Sequence, residues 1–265
     1  MKIAAAQIVC TVGDVDANLA KISDFASRAK SVGGELVVFP EMVDTGYSMQ
    51  QIRLHASAWS DGAVVRLRTL AQKLSVAIIC GVSEREGEHI YNAQVVIDAR
   101  GEILGKYRKS HLFTAGPIGE DTCFCAGTEL VSCPLGDMRI GLSICYDLRF
   151  PEVYRSLVCD QKANVLAISS AWPVPRAEHL RVLTIARAIE NQSYLVLANR
   201  VGSDEGVAFC GASAIIDPSG NVIASASSDR EELIYAELSN DTLHSVRGRM
   251  PVFADRRPDL YAGRT

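Results

Sequence analysis

A cysteine, a glutamate and a lysine, far apart in the chain, each stand at the end of a segment that is typical of a β-strand. Cys145 follows the apolar run 140–144. Glu41 comes directly after Pro40, which stops another apolar strand, and Lys109 closes a third. Because strand ends in layered α/β folds converge on a common face where ligands bind, we expect these three side chains to lie close together.

The chemistry that suits a thiol, a carboxylate and an ammonium group in contact is acyl transfer. Glu41 can take the Cys145 proton as a general base, which leaves a thiolate to attack a carbonyl carbon. Lys109 and the backbone N–H after the thiol can stabilise the resulting oxyanion. Each residue alone has a plainer interpretation, since most cysteines are buried and inert and most lysines are solvated.

A Cys–His hydrolase is an alternative that the same stretch leaves open. His111 lies two residues beyond Lys109, so the two side chains share a face if the strand continues. An imidazole base titrates at about pH 6.5, well above an ordinary glutamate, so a pH profile distinguishes His111 from Glu41.

The element that must position the thiol is a strand followed by a turn and a helix. The run 140–144 predicts a buried strand, and Pro151 can open a helix at its first turn. Such an elbow exposes one side chain at the strand end and aims backbone N–H groups at the same point. Cys145 occupies this turn.

The rest of the chain alternates strands with helices at first and then continues as hairpins. This order predicts an α/β layer fold with mixed sheets in a single domain, residues 1–265. The predicted helices are one capped by Asp16 that ends at Gly33, then 61–74, 151–161, 176–192 and 240–249. The predicted strands are 2–9, 35–39, 76–82, 90–97, 102–107, 140–144, 164–169, 194–199, 206–217, 221–226 and 233–238. Residues 116–127 are predicted to form a loop.

Composition narrows the function classes. The 265 residues are 48% hydrophobic with a formal net charge of -4, which gives no support to a nucleic-acid or anionic-membrane partner. No apolar run approaches the roughly 18 residues of a membrane span. The apolar start of the chain is too short for a signal peptide and predicts a first core strand.

The eight cysteines are scattered, and without a secretion signal they predict reduced thiols in the cytoplasm. Cys123, Cys125 and Cys133 lack paired spacing and a nearby histidine, so we expect no metal site and no cofactor.

Three segments in the right order resemble the signature segments of the nitrilase superfamily of carbon–nitrogen hydrolases. The similarity extends from Lys2 to about Tyr261. The three segments are Phe39-Pro-Glu41, residues 107–113 (Tyr-Arg-Lys-Ser-His-Leu-Phe) and residues 141–152 (Gly-Leu-Ser-Ile-Cys-Tyr-Asp-Leu-Arg-Phe-Pro-Glu); residues 186–192 and the hairpin 211–220 also resemble this family.

The resemblance implies a four-layer α-β-β-α sandwich that usually pairs through its helices into a homodimer. It also implies that Cys145 forms a thioester, that Glu41 is the general base, and that Lys109 stabilises the oxyanion with the N–H of Tyr146. The tail from about residue 250 to 265 has too little apolar content for a core of its own, and we expect it to lie against a partner subunit.

Family members often carry a second glutamate in the loop after the lysine. Glu120, seven residues before Gly127, fits that place and would orient Lys109 or a substrate amide. Asp121 is its neighbouring competitor.

The residues after the nucleophile indicate the branch. True nitrilases resemble Cys-Trp-Glu, whereas Cys145-Tyr-Asp is closer to the amidases, including omega-amidases and small aliphatic amidases. The implied reaction is hydrolysis of a primary carboxamide to a carboxylic acid and ammonia, with Tyr47, Tyr146 and Trp172 binding the substrate. The alternatives are an N-carbamoyl amidohydrolase, a nitrilase, or a non-catalytic scaffold with this fold. The scaffold is disfavoured because all three reactive residues are present.

The substrate itself stays open. A dicarboxylate monoamide requires a cation for its far carboxylate, whereas a short neutral amide does not. Arg149, Arg176 and Arg200 are the candidates for that cation.

Overall fold

The computed structural model describes residues 1–115 and 119–261. Residues 116–118 of the predicted loop and 262–265 of the tail lie outside this range. The helices are α1 (Val15–Ser31), α2 (Met49–His55), α3 (Gly62–Leu74), α4 (Pro151–Cys159), α5 (Ala177–Asn191), α6 (Asn240–Arg249) and α7 (Pro258–Tyr261). Short 3-10 helices run through Glu120–Thr122, Cys145–Arg149 and Val174–Arg176.

Within the described residues, the strands form two six-stranded sheets and one small hairpin. In chain order they are β1 (Lys2–Gln7), β2 (Leu36–Val38), β3 (Ala77–Glu86), β4 (His89–Ile97), β5 (Ile103–Arg108), β6 (Ser132–Leu135), β7 (Met138–Ile144), β8 (Val165–Ser170), β9 (Tyr194–Asn199), β10 (Ser203–Asp204), β11 (Val207–Ala208), β12 (Ala214–Ile216), β13 (Val222–Ser225) and β14 (Glu232–Glu237).

The two sheets have matching orders. One runs β14-β1-β2-β3-β4-β5 and the other β13-β12-β9-β8-β7-β6, while β10 and β11 pair with each other. In each sheet the three central strands are parallel and the outer ones antiparallel. The mixed sheets predicted from the sequence are confirmed.

Alternating side chains on these strands divide the core into layers. On β1, Ile3 and Ala5 face the second sheet, whereas Ala4 and Ala6 face α1 and α3. Helices α4 and α5 cover the outer face of the second sheet. The result is the four-layer α-β-β-α sandwich, and this prediction is confirmed.

Helix boundaries follow their caps. The Asp14 side chain, not that of Asp16, caps α1 by accepting a hydrogen bond from the Ala17 N–H at 3.0 Å. The predicted cap at Asp16 was wrong because the helix begins at Val15, so Asp16 already lies in its first turn. The sequence analysis also missed α2, which buries Ile52 alone and so shows little periodicity.

Three strand predictions also need correction. The predicted strand 206–217 is split into β11 and β12, because Gly211 and Ala212 adopt φ angles of 56° and 55° that a strand cannot hold. β3 continues to Glu86, so the turn predicted at 84–89 is only the two residues between β3 and β4. β6, an edge strand containing Pro134, was not predicted.

No helix within the described ranges is long and apolar enough to cross a membrane.

Candidate active site

The chain turns sharply at the end of β7, and Cys145 stands in the turn. Its φ of 42° lies in the left-handed region, which is uncommon for a residue with a Cβ. A 3-10 helix begins at Cys145, and α4 starts at Pro151. The first N–H groups of such a helix, including that of Tyr146, have no partner within the helix and are available to an anion.

Glu41, Lys109 and Glu120 form a buried cluster beside this turn. The Lys109 Nζ donates a hydrogen bond to Glu41 Oε1 at 2.9 Å and another to Glu120 Oε1 at 2.7 Å. All three side chains are almost inaccessible to solvent. The strand ends therefore converge as the sequence predicted, with one cation between two carboxylates.

Further donors fix the orientation of Glu41. The Asn92 Nδ2 donates to its Oε1 at 2.6 Å, and the Ala171 N–H donates to its Oε2 at 2.9 Å. Asn92 lies on β4 and Ala171 follows β8, so both sheets contribute to holding this carboxylate.

Glu120 is held by two donors besides the lysine. The Tyr47 hydroxyl donates a hydrogen bond to Oε1, and the Phe113 N–H donates to Oε2 at 2.6 Å. The neighbouring Asp121 is exposed. The geometry thus brings Glu120, not Asp121, to Lys109.

Burial and the neighbouring charges shift the pKa values of Lys109 and Glu120. Burial acts to lower the pKa of Lys109, but the carboxylates of Glu120 and Glu41 outweigh burial and raise that pKa above its ordinary value. Lys109 is therefore an ammonium ion at neutral pH. Burial raises the pKa of Glu120, and the charge of Lys109 opposes this rise.

The Cys145 thiol has a raised pKa for two reasons. Burial raises it most and the negative charge of Glu41 raises it further, while Lys109 acts in the opposite direction. The resting side chain is therefore a protonated thiol at neutral pH, and a nucleophilic role requires a base to remove its proton.

A cleft with about 360 Å³ of empty space opens above the cluster and includes Cys145, Lys109 and Glu120 in its wall. The three predicted substrate-binding residues, Tyr47, Tyr146 and Trp172, all line it. Phe113, Arg149 and Arg176 line it as well.

Two arginines in the cleft wall lie over aromatic rings. The Arg149 guanidinium is 4.8 Å from the centre of the Trp172 ring, and the Arg176 guanidinium is 5.2 Å from the Phe113 ring. Within residues 1–115 and 119–261, neither forms an ion pair with a carboxylate. Their positive charges are therefore open to an anion in the cleft.

Two other candidates from the sequence lie elsewhere. Arg200 is fully buried in an ion pair with Asp204 and does not line the cleft. The His111 Nδ1 lies 2.9 Å from Asp147 Oδ1, and its ring stacks on Phe150. The geometry therefore places a glutamate, not this histidine, beside the proposed Cys145–Lys109 site.

The sequence analysis did not identify Asn92, Phe113 or Ala171 as parts of the site. Two of them act through the backbone N–H, which no residue type reveals. Asn92 sits on β4 facing Glu41, but nothing in the sequence pairs two residues 51 positions apart. In the described parts of the chain, no group of three or more His, Cys, Asp or Glu side chains could hold a metal ion.

A family model described as carbon-nitrogen hydrolase matches residues 2–248. The chain belongs to the carbon–nitrogen hydrolase family. A 2-oxoglutaramate amidase from Bacillus subtilis (strain 168) is 36% identical over 260 residues, covering 98% of each chain. A nitrilase from Pyrococcus abyssi (strain GE5 / Orsay) is 34% identical over 271 residues, covering 98% of this chain and 99% of the relative.

A solved structure of the E41Q mutant of an amidase from Nesterenkonia sp. AN1 aligns with this carbon–nitrogen hydrolase at a TM-score of 0.87 and 28% identity, over 98% of this chain and 95% of that one. That structure carries the acetamide moiety of fluoroacetamide added covalently to its active-site cysteine. The predicted enzyme class, a hydrolase of carbon–nitrogen bonds other than peptide bonds, is confirmed. So is the prediction of amide hydrolysis through a cysteine.

Proposed function

We propose that this carbon–nitrogen hydrolase converts a primary carboxamide into a carboxylic acid and ammonia through a thioester on Cys145. The observation that carries the proposal is the buried Lys109 ammonium, held between Glu41 and Glu120 beside a protonated thiol. This arrangement places a nucleophile and a fixed positive charge in the wall of one cleft, with the proposed base bonded to that charge.

In the first half-reaction, Glu41 takes the Cys145 proton and the sulfur bonds to the carboxamide carbon. The carbonyl oxygen becomes an oxyanion, which Lys109 and the Tyr146 N–H stabilise. The carbon–nitrogen bond then breaks, and the nitrogen leaves as ammonia with the proton that Glu41 returns. A thioester remains on Cys145.

In the second half-reaction, Glu41 takes a proton from water as the water oxygen attacks the thioester carbon. The same donors stabilise the second oxyanion. The carbon–sulfur bond breaks, and the sulfur recovers the proton from Glu41, which releases the acid. Glu120 keeps Lys109 oriented through both steps, since its carboxylate is fixed by Tyr47 and Phe113.

The cleft supports an amide that carries a carboxylate at its other end. Arg149 and Arg176 offer two charges without a carboxylate partner in the described residues, next to the aromatic wall. The Bacillus subtilis relative is named for 2-oxoglutaramate, an amide of this kind. We infer an omega-amide of a short dicarboxylic acid as the preferred substrate, with small neutral aliphatic amides as weaker ones.

The test is ammonia release from succinamate and butyramide, which have the same chain length and differ in the terminal carboxylate. We expect succinamate to give the higher kcat/KM, and Cys145→Ala to release no ammonia from either. Arg149→Met and Arg176→Met should each lower kcat/KM for succinamate by about 10- to 100-fold, because the loss of one charge-assisted hydrogen bond has an effect of this size. The kcat/KM for butyramide should stay nearly unchanged.

The other outcomes point elsewhere. Ammonia only from a nitrile or an N-carbamoyl compound would move the enzyme to those branches of the superfamily. Turnover that survives Cys145→Ala would refute the thioester. No turnover of any compound would favour the non-catalytic scaffold. Equal effects of the arginine variants on both amides would remove the carboxylate preference but leave the amidase.

We also propose that the enzyme is a cytoplasmic homodimer. The outer face of α5 exposes Val182 and Ile189 at 47% and 49%, and the neighbouring β13 exposes Val222 and Ile223. Exposed apolar side chains on these two elements favour pairing with a second copy. The tail begins beside this end of α5, because the Gln192 Nε2 donates to the Met250 carbonyl at 2.9 Å.

The eight free thiols fit a reducing compartment, which supports the cytoplasmic location.

A further inference from the structure

The aspartate of the Cys-Tyr-Asp segment has no part in the proposed chemistry, yet it is the most heavily bonded carboxylate near the site. Asp147 is fully buried. Its Oδ2 accepts hydrogen bonds from the Ile144 N–H at 2.9 Å and the Tyr107 hydroxyl at 2.7 Å. Its Oδ1 accepts from the His111 N–H at 3.1 Å, with His111 Nδ1 at 2.9 Å and Ser110 Oγ at 3.3 Å.

These donors come from two separate segments of the chain. The Ile144 N–H belongs to the residue directly before the Cys145 turn. Tyr107, Ser110 and His111 flank Lys109 on both sides. One carboxylate therefore joins the backbone that carries the thiol to the backbone that carries the ammonium.

The connection is stiff for two reasons. Asp147 lies within the 3-10 helix that starts at Cys145, so its carboxylate turns back on its own segment and closes the elbow. On the other side, the Tyr107 hydroxyl also accepts the Ser110 N–H at 3.2 Å, which links the donors to one another. Asp147 and Tyr107, at the centre of this network, are fully buried, and a buried carboxylate with its donors in place is held rigidly.

We propose that Asp147 is a positioning residue that sets the distance between Lys109 and Cys145. Lys109 can stabilise the oxyanion only if its Nζ lies within hydrogen-bond reach of the oxygen on the carbon that Cys145 attacks. A displacement of about 1 Å in such a group can lower a rate by about 100-fold. This inference rests on the roles proposed above for Cys145 and Lys109.

The test is Asp147→Asn, which keeps the size of the side chain but replaces one acceptor with a donor that faces other donors. We expect kcat for the preferred amide to fall by about 10- to 100-fold, with KM within about twofold of the unaltered enzyme. The split between kcat and KM is the decisive readout, because a displacement of Lys109 relative to Cys145 weakens the contact with the oxyanion of the transition state more than the binding of the amide.

Asp98→Asn is the matched control. Asp98 is also a buried aspartate, and it accepts the N–H groups of Arg100 and Glu102 at 2.9 and 2.8 Å in the turn between β4 and β5, away from the cleft. We expect the melting temperature of the Asp98→Asn variant to fall while its kcat stays within about twofold of the unaltered enzyme. An equal loss of kcat in the two variants would mean that Asp147 supports only stability.

A second variant covers the case in which Asp147→Asn does not fold. Tyr107→Phe removes one donor on the lysine side and adds no new polar group, and we expect kcat to fall about 3- to 10-fold with KM unchanged. A folded Asp147→Asn protein with kcat within about threefold of the parent would overturn the inference, as would full kcat in Tyr107→Phe. Turnover in Cys145→Ala would instead refute the proposed function.

Discussion

The reactivity of Cys145 depends on two opposite charges beside it. Glu41 raises the pKa of the thiol and Lys109 lowers it, after burial has already raised it. A thiol that rests protonated resists oxidation and stray alkylation, because the thiolate is the reactive form. The proposed role of Glu41 as base would produce the thiolate only when a carbonyl is present to receive it.

Glu41→Gln should therefore make Cys145 easier to alkylate at a given pH and yet lower the turnover of the amide. Removing the negative charge lowers the pKa of Cys145, so the rate of iodoacetamide alkylation at Cys145 should reach its half-maximum at lower pH. Amide turnover should fall by about 100- to 10,000-fold, because no base remains to transfer the proton. The measurements are labelling at Cys145 across pH and ammonia release.

Glu84→Gln is the control for this prediction. Glu84 is a buried glutamate with a cationic partner, since the Arg108 Nε donates to it at 2.8 Å, but it does not line the cleft. Its alkylation curve should match that of the parent enzyme. A Glu41→Gln curve displaced to higher pH, or turnover within tenfold of the parent, would contradict the assigned role.

At the scale of elements, a glycine on β3 allows the backbone at Glu41 to lie close to the sheet. The strand beside it, β2, ends at Val38, but β3 continues, and the Gly81 N–H donates to the Pro40 carbonyl at 3.1 Å. A Cβ at Gly81 would lie 2.5 Å from that oxygen and 2.6 Å from the Glu41 Cα. The lack of a side chain at this position allows the backbone of the proposed base to lie against the sheet.

Gly81→Ala should move Glu41 and lower both activity and stability. Because the obstructing atoms are backbone, no side-chain rotation relieves the contact, and we expect kcat to fall at least about 10-fold and the melting temperature to fall with it. Gly248→Ala is the matched control, since a Cβ there meets nothing within 4 Å, and alanine favours the helix. Parental kcat in Gly81→Ala would show that the Glu41 backbone tolerates the shift.

The sequence predicted most of these elements but not their contacts. The strand 194–199 and the helix 240–249 have the predicted bounds: the strand is a short continuous apolar run, and the helix lies between its cap at Ser239 and Pro251. The break between β11 and β12 escaped prediction because Ala212 adopts a positive φ that alanine rarely takes. Cys145, Glu41, Lys109 and Glu120 could be placed together because motifs mark them, whereas the bonds of Asn92 and Asp147 depend on tertiary structure.

At the scale of the whole molecule, the sandwich has two outer helical layers. The layer of α1 and α3 covers one sheet, and the layer of α4 and α5 covers the other. A Cβ at Gly220, in the turn before β13, would lie 2.4 Å from Ile189, so that turn adjoins the exposed face of α5. The proposed dimer interface is this second layer.

Val182→Asp combined with Ile189→Asp should therefore convert the proposed dimer into a monomer. Two carboxylates on each copy would be buried without partners in an interface related by twofold symmetry, which strongly disfavours association. Light scattering after gel filtration should give twice the chain mass for the parent and a single chain mass for the variant. Val65→Asp, a similarly exposed valine on α3 in the opposite layer, should leave the mass of the parent unchanged. A monomeric parent, or a variant that still pairs, would place the interface elsewhere or remove it.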